Sequence, residues 1–108
     1  MAIKYTLETE CAPCGFEEFI KKHGLELFVG ERVMNEFAKR RGVKRYWAQF
    51  RDVFEDHGQH GYSSCYENGD TPEEAIARFQ KYILGKRLRY APVDCAEPVR
   101  FVAPNEWR

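Results

Sequence analysis

Serine occurs only at positions 63 and 64 and histidine only at 23, 57 and 60, and neither type stands beside an arrangement that would activate a nucleophile. No Gly-x-Ser-x-Gly motif or phosphate-cradling glycine loop is present. Catalysis is therefore not expected, and no catalytic residue or cofactor is assigned. No apolar run is long enough to cross a bilayer as a helix, so a membrane is not an expected partner. The opening Met1-Ala2-Ile3-Lys4-Tyr5-Thr6 has no apolar h-region, which makes the cytoplasm the expected compartment. Four cysteines, Cys11, Cys14, Cys65 and Cys95, are too few for a disulfide scaffold, and in a reducing compartment they stay thiols. The chain also lacks an excess of either charge, so its net charge of zero names no partner.

What is present is aromatic and unevenly charged. With 108 residues, 44% of them apolar and 15% aromatic, the chain is long enough for one core and one domain. Charge is blocked along the sequence. Residues 1–38 carry 4 basic and 7 acidic side chains, 39–51 carry 6 and none, 52–74 carry none and 7, and 75–108 carry 7 and 3. Local fields can therefore act where the total cannot.

Ile3, Tyr5 and Leu7 alternate with polar residues and predict a short strand. A helix follows from Cys14 or Gly15 to His23, with Phe16, Phe19 and Ile20 on one stripe, acids first, bases last and Gly24 after its end. Residues 25–33 and Tyr46–Phe54 read as strands, joined by a basic loop or hairpin connection over 35–45. In the second strand Tyr46, Ala48 and Phe50 share one face, and Trp47, Gln49, Arg51 and Val53 share the other. A polar turn over 55–61 leads to a third strand at 62–66. Gly69-Asp70-Thr71-Pro72-Glu73-Glu74-Ala75-Ile76 then fixes a helix start, with Thr71 as N-cap, Pro72 at the first helical position and Glu74 closing a capping box. Ala75, Ile76, Phe79 and Ile83 form its stripe, and Gly85 ends it.

Leu88 and Tyr90 start a final strand, and Val99–Val102 is a short strand in a tail broken by prolines at 92, 98 and 104. The expected fold is α+β, an α-β-β-β-α core with a three- to four-stranded antiparallel sheet and both helices on one face. It forms a single domain over 1–108, with its core at about 14–90 and a loose tail over 91–108.

Over residues 14–84 this order resembles the topology of double-stranded-RNA-binding domains. That family opens its second helix with lysines that grip phosphate, whereas this chain places Asp70, Glu73 and Glu74 there. Gly69 to Ala75 also resembles the strand-to-helix junction of HicB-type antitoxins. A broader likeness, pairing Cys14-Gly-Phe-Glu-Glu-Phe-Ile20 with Gly69 to Ile76 and Ile83-Leu-Gly-Lys-Arg-Leu88, is to small orphan proteins of phages and prophages. That resemblance implies a mobile-element origin, with a host bacterial cytoplasm, and not an activity; the members that are understood are often inhibitors of host enzymes or defence complexes, anti-CRISPR-like in kind.

Five residue sets are candidates for chemistry. Lys39, Arg40, Arg41, Lys44 and Arg45 place five cations in seven residues beside Tyr46, Trp47 and Arg51, a pattern that suits phosphate neutralisation next to an aromatic platform. The acidic block, including Asp56, Glu67 and Asp70, suits a basic groove on a protein and would repel a long polyanion. Cys11-Ala-Pro-Cys14 before a helix has the form of a redox pair, but neither a matching strand order nor a cis-proline position accompanies it. With His57, His60 or Cys65 the same cysteines offer the ligand types of a tetrahedral zinc site, at a spacing of 42 residues that exceeds a compact finger; no metal is assigned. Cys65 beside His57 and His60 would make a thiol and base pair only with a third, orienting group. The leading expectation is a non-enzymatic protein that binds a host protein complex through Lys39, Arg40, Arg41, Lys44, Arg45, Trp47, Arg51, Asp56, Glu67 and Asp70. The alternatives are a nucleic-acid-binding module built on residues 39–51 and a HicB-like antitoxin.

Overall fold

In the computed structural model, which describes residues 14–93 and 97–108, the chain runs α1 (Phe16–His23), β1 (Leu27–Glu31), α2 (Glu36–Arg40), β2 (Tyr46–Asp56), β3 (Tyr62–Gly69), α3 (Pro72–Ile83), β4 (Arg87–Tyr90) and β5 (Val99–Val102). The expected strand at Ile3–Leu7 and Cys11 lie outside the described residues. The fold is α+β, and its antiparallel sheet has five strands where three or four were expected. Among the described residues no helix is long and apolar enough to cross a membrane.

Strand β2 is the spine. Its first half pairs with β1 and its second half with β4 on the same edge, β3 pairs along its other edge, and β5 flanks β4. The hand-over from β1 to β4 needs a bulge. Gln49 lies opposite Tyr66 but Phe54 lies opposite Ser64, so the four residues Phe50 to Val53 face Cys65 alone. Asp52 takes a left-handed φ of 59°, the Arg51 amide donates to the Glu26 carbonyl, and the Asp52 carbonyl accepts from the Ala91 amide. Such an insertion bends the strand and resets its phase. Val53, expected on the face of Trp47, is therefore buried on the face of Phe50.

Both long helices cover that face. Phe50 stacks on Phe16 of α1 with centroids 5.6 Å apart and meets Phe79 of α3 edge-on at 5.0 Å. Phe19, Phe50, Phe79, Ile83 and Leu88 are all but fully buried, each contributing about 1.5–3 kcal/mol of transfer free energy. The α3 start is built as its residues require, with the Glu74 amide donating to the Thr71 hydroxyl at 3.1 Å. The Glu74 side chain turns to Arg78 at 3.3 Å, so the expected box is only half made. Gly69 is needed because a Cβ there would come within 2.4 Å of the Ala75 amide nitrogen. The helix ends at Ile83, with Leu84 as its extended cap ahead of Gly85.

Two further expectations are corrected. The 35–45 segment contains helix α2, because the Asn35 side chain caps it by accepting from the Ala38 amide at 2.8 Å. The tail expected to be loose is packed: β5 pairs with β4, the Gly85 amide donates to the Pro104 carbonyl, and the Trp107 indole donates to the Gln80 carbonyl at 2.7 Å. Trp107 also meets Phe16 and Phe19 at 5.2 and 5.4 Å. The tail prolines bracket β5 without interrupting it, and Pro104 is itself buried.

Candidate functional site

Alternation along each strand sends every second side chain to the sheet face that the helices leave open. Cross-strand register arranges that face in rows. Phe28, Gln49 and Tyr66 make one row, Gly30, Trp47 and Asn68 the next, and beyond the bulge Arg100, Arg89, Phe54 and Ser64 make a third. Tyr62 packs edge-on against Phe54 at 5.1 Å. Trp47 has room only because its row partner is glycine: a Cβ on Gly30 would come within 2.1 Å of the indole.

Arginines lie against these rings. The guanidinium carbons of Arg32, Arg51 and Arg89 sit 4.8, 5.6 and 5.1 Å from the ring centroids of Trp47, Phe28 and Tyr62, contacts worth about 0.5–1 kcal/mol each where exposed. Arg32 is further fixed, its Nη1 donating to the carbonyls of Lys44 (3.0 Å) and Tyr46 (3.4 Å). The carboxylates of this side are already partnered, Glu26 with Arg51 at 3.5 Å and Asp56 with Arg100 at 3.2 Å. Arg32 and Arg89 have no carboxylate partner among the described residues.

The linear acidic block does not survive folding as a patch. Glu55 and Glu67 point to the helix side, and Glu73 and Glu74 belong to α3. Burial alone would push the Glu55 carboxyl up, but the Tyr82 hydroxyl donating at 2.6 Å and Lys86 at 3.4 Å hold it below the usual carboxylate range. The same hydrogen bond, with burial, pushes the Tyr82 hydroxyl up to about 12.

The ten residues expected to bind a partner thus fall into three groups. Trp47 and Arg51 lie on the open face, and Asp56 at its far end. Lys39, Arg40, Arg41, Lys44 and Arg45 belong to the arm between β1 and β2, where Lys44 pairs with Asp70 at 2.9 Å, Arg45 with Glu31 and Lys39 with Glu36. Glu67 is on the opposite face. Phe28, Arg32, Gln49, Tyr66 and Arg89 join this surface without being among the ten; alternation puts Gln49 beside Trp47, but the rows need the register of β1 and β3.

Of the thiol and metal candidates, Cys11 lies outside the described residues, and the geometry bears on Cys14, His57 and Cys65. Burial first, then the charge of Glu55, pushes the Cys65 thiol up to about 12, so it stays protonated and unreactive near neutral pH. His57 Nε2 is engaged with the Ser63 hydroxyl at 2.8 Å, and Cys14 bridges to Trp107 in the tail. No group of three metal-ligating side chains comes together among the described residues.

Between Trp47 and Tyr66 the open face dips into a hollow of about 250 Å³, lined by Arg32, Trp47, Gln49, Ser64 and Tyr66. None of the five is acidic. Comparison with protein-family models, curated proteins and solved structures returns no match.

Proposed function

We propose that this protein is a non-catalytic binding module that holds single-stranded nucleic acid on its open sheet face. The observation that carries this reading is the sorting of charge by the fold: arginines and aromatics line the open face, while most of the acidic block lies elsewhere. The repulsion expected from residues 52–74 is thereby reduced on the surface that would meet phosphate, where Asp56 is paired with Arg100. Flat aromatic groups beside cations suit unstacked bases and their backbone, a mode that tolerates many sequences. Lys39, Arg40 and Arg41 on the arm between β1 and β2 add further cations.

Anisotropy titration with a labelled single-stranded oligonucleotide tests it. Binding should weaken steeply with salt, by about 0.7 in log-log slope per phosphate contacted. Changing Arg32 and Arg89 together to Gln should flatten that slope by about one unit or more. A salt-independent affinity, or a slope unchanged in the double variant, would refute the reading.

A second reading keeps the protein partner placed first on sequence grounds, a phage-type inhibitor of a host protein complex. Trp, Tyr, Phe and Arg are the side chains enriched at protein interfaces and their hot spots, and Phe37 and Val33 add exposed apolar surface on the arm. It predicts a stoichiometric protein complex that Trp47→Ala dissolves, with no salt-dependent nucleic-acid binding.

A further inference from the structure

We propose that the hollow between Trp47 and Tyr66 is a nucleobase subsite, in which the Gln49 amide reads the edge of one unstacked base. The inference rests on the nucleic-acid reading above and adds a specificity to it.

Size comes first. A volume of about 250 Å³ falls just below the roughly 300–1,000 Å³ typical of pockets for drug-sized ligands, and suits a single planar ring rather than an extended molecule. Its walls are the right kind, an indole and a phenol across neighbouring strands, with Tyr66 directly opposite Gln49 and Trp47 two residues before it. Arg32, held by two backbone carbonyls, keeps N–H groups for a phosphate at the rim.

Unused hydrogen-bonding capacity is the second observation, independent of shape. The Gln49 amide, the Trp47 indole N–H and the hydroxyls of Ser64 and Tyr66 make no side-chain hydrogen bond among the described residues. Beside Trp47, the Asn68 Oδ1 is buried and equally without a partner among them. Ser64 and Tyr66 are exposed, so water answers such groups in the free protein, and a ligand's polar edge can take its place. An amide carries an acceptor and a donor side by side, which matches the paired donor and acceptor on a base edge.

A ligand with this profile is a nucleotide within a strand, since phosphate charge answers Arg32, the ring answers the aromatic walls, and the edge answers Gln49. An acidic peptide would answer the arginine but leave the amide and the slot unread. That difference makes the chemistry testable.

Fluorescently labelled single-stranded tetranucleotides, each of one base only, are titrated against the folded protein at about 50 mM salt. Wild type should prefer one base by about tenfold. Gln49→Ala should level the four affinities while leaving the salt slope unchanged, because the slope belongs to the arginines. Gln49→Glu, an acceptor only, should move the preference toward guanine, whose edge offers adjacent donors. Quenching of tryptophan fluorescence on binding should persist in Trp107→Phe and vanish in Trp47→Phe, a readout that does not depend on the Gln49 variants folding well. Equal affinity of wild type for all four, a preference that Gln49→Ala leaves intact, or quenching retained in Trp47→Phe overturns the subsite and leaves the face reading standing. Absence of any binding overturns both, and leaves the face to a protein.

Discussion

Glu55 and Gln49 stand six residues apart on β2, on opposite faces of the same sheet, and the fold treats them differently. On the helix side Glu55 is fully answered: Tyr82 donates to it, Lys86 pairs with it, and Lys86 in turn lies over the Tyr82 ring at 5.1 Å. On the open side Gln49 is answered by nothing among the described residues, and two of the three buried polar atoms without a partner, Asn68 Oδ1 and Arg89 Nε, belong to that side as well. Polar groups cost about 1–3 kcal/mol when buried and left unmatched. A face built for stability closes its hydrogen bonds. On the open face that cost falls on Asn68 Oδ1 and Arg89 Nε, where the proposed ligand would bind.

The sharpest way to break that contrast is to damage each side in turn. Phe79→Ala removes a fully buried ring from the helix side and should cost about 3–5 kcal/mol in urea unfolding. The folded fraction should still bind oligonucleotide with the wild-type salt slope. If affinity fell in proportion to the lost packing even in fully folded samples, the two faces would not be separable.

Next in size is the Glu55–Tyr82 pair. Tyr82→Phe leaves a charged acceptor with one partner fewer and should cost about 1.5–3 kcal/mol. Its pH signature follows from the two shifts. Glu55 is held below its ordinary 4.5, so its contribution is present above that value and lost as acid takes the pH down through the folded-state pKa. Tyr82 is raised from 10 to about 12, so its contribution is present below pH 10 and lost as pH rises toward 12. Tyr82→Phe should therefore reduce the alkaline loss to the part that the raised Cys65 thiol contributes, and weaken the acid one. An unchanged alkaline limb in urea midpoints would contradict the assignment.

Gly30→Ala attacks the open face without touching the core. The new Cβ must displace the Trp47 indole, at about 1–3 kcal/mol of stability. Oligonucleotide affinity should fall well beyond that of a control such as Ala77→Ser, placed on an exposed position of α3. Wild-type affinity in a folded Gly30→Ala protein would mean that Trp47 is not part of the surface.

How far the sequence foretold this arrangement depends on the range of the interaction. Helix α3 was legible because Thr71, Pro72 and Ala75 act within one turn, and α1 because its charges and Gly24 do the same. Strand β2 was legible up to Arg51. The bulge at Asp52, which carries Val53 to the other face, arises from the competition of β1 and β4 for one edge, and no local pattern records that. The docked tail is hidden for a similar reason, since Trp107 finds Phe16 and Gln80 only after the helices are in place. Of the candidate surface, Trp47 and Arg51 could be named from alternation and composition. Gln49, Tyr66 and Arg32 could not, because their meaning lies in neighbours on other strands.

His23 is the helix side's own exception, and it yields the smallest of these effects. Its Nε2 is buried without a partner among the described residues, its ring stacks on Phe101 at 4.6 Å and meets Phe19 at 4.7 Å, and it thereby joins the end of α1 to β5. Burial first, and then the charge of Lys22, holds its pKa below 6.5. The unfolded chain thus takes up a proton before the folded one does, so the contribution of His23 is present above pH 6.5 and lost as pH falls through the folded-state value. Urea midpoints should decline as pH falls below 6.5. His23→Phe keeps the stacking and removes the proton, so it should flatten that decline and leave the Glu55 limb at lower pH untouched. Were the decline to persist in His23→Phe, the unpartnered imidazole would not be its source.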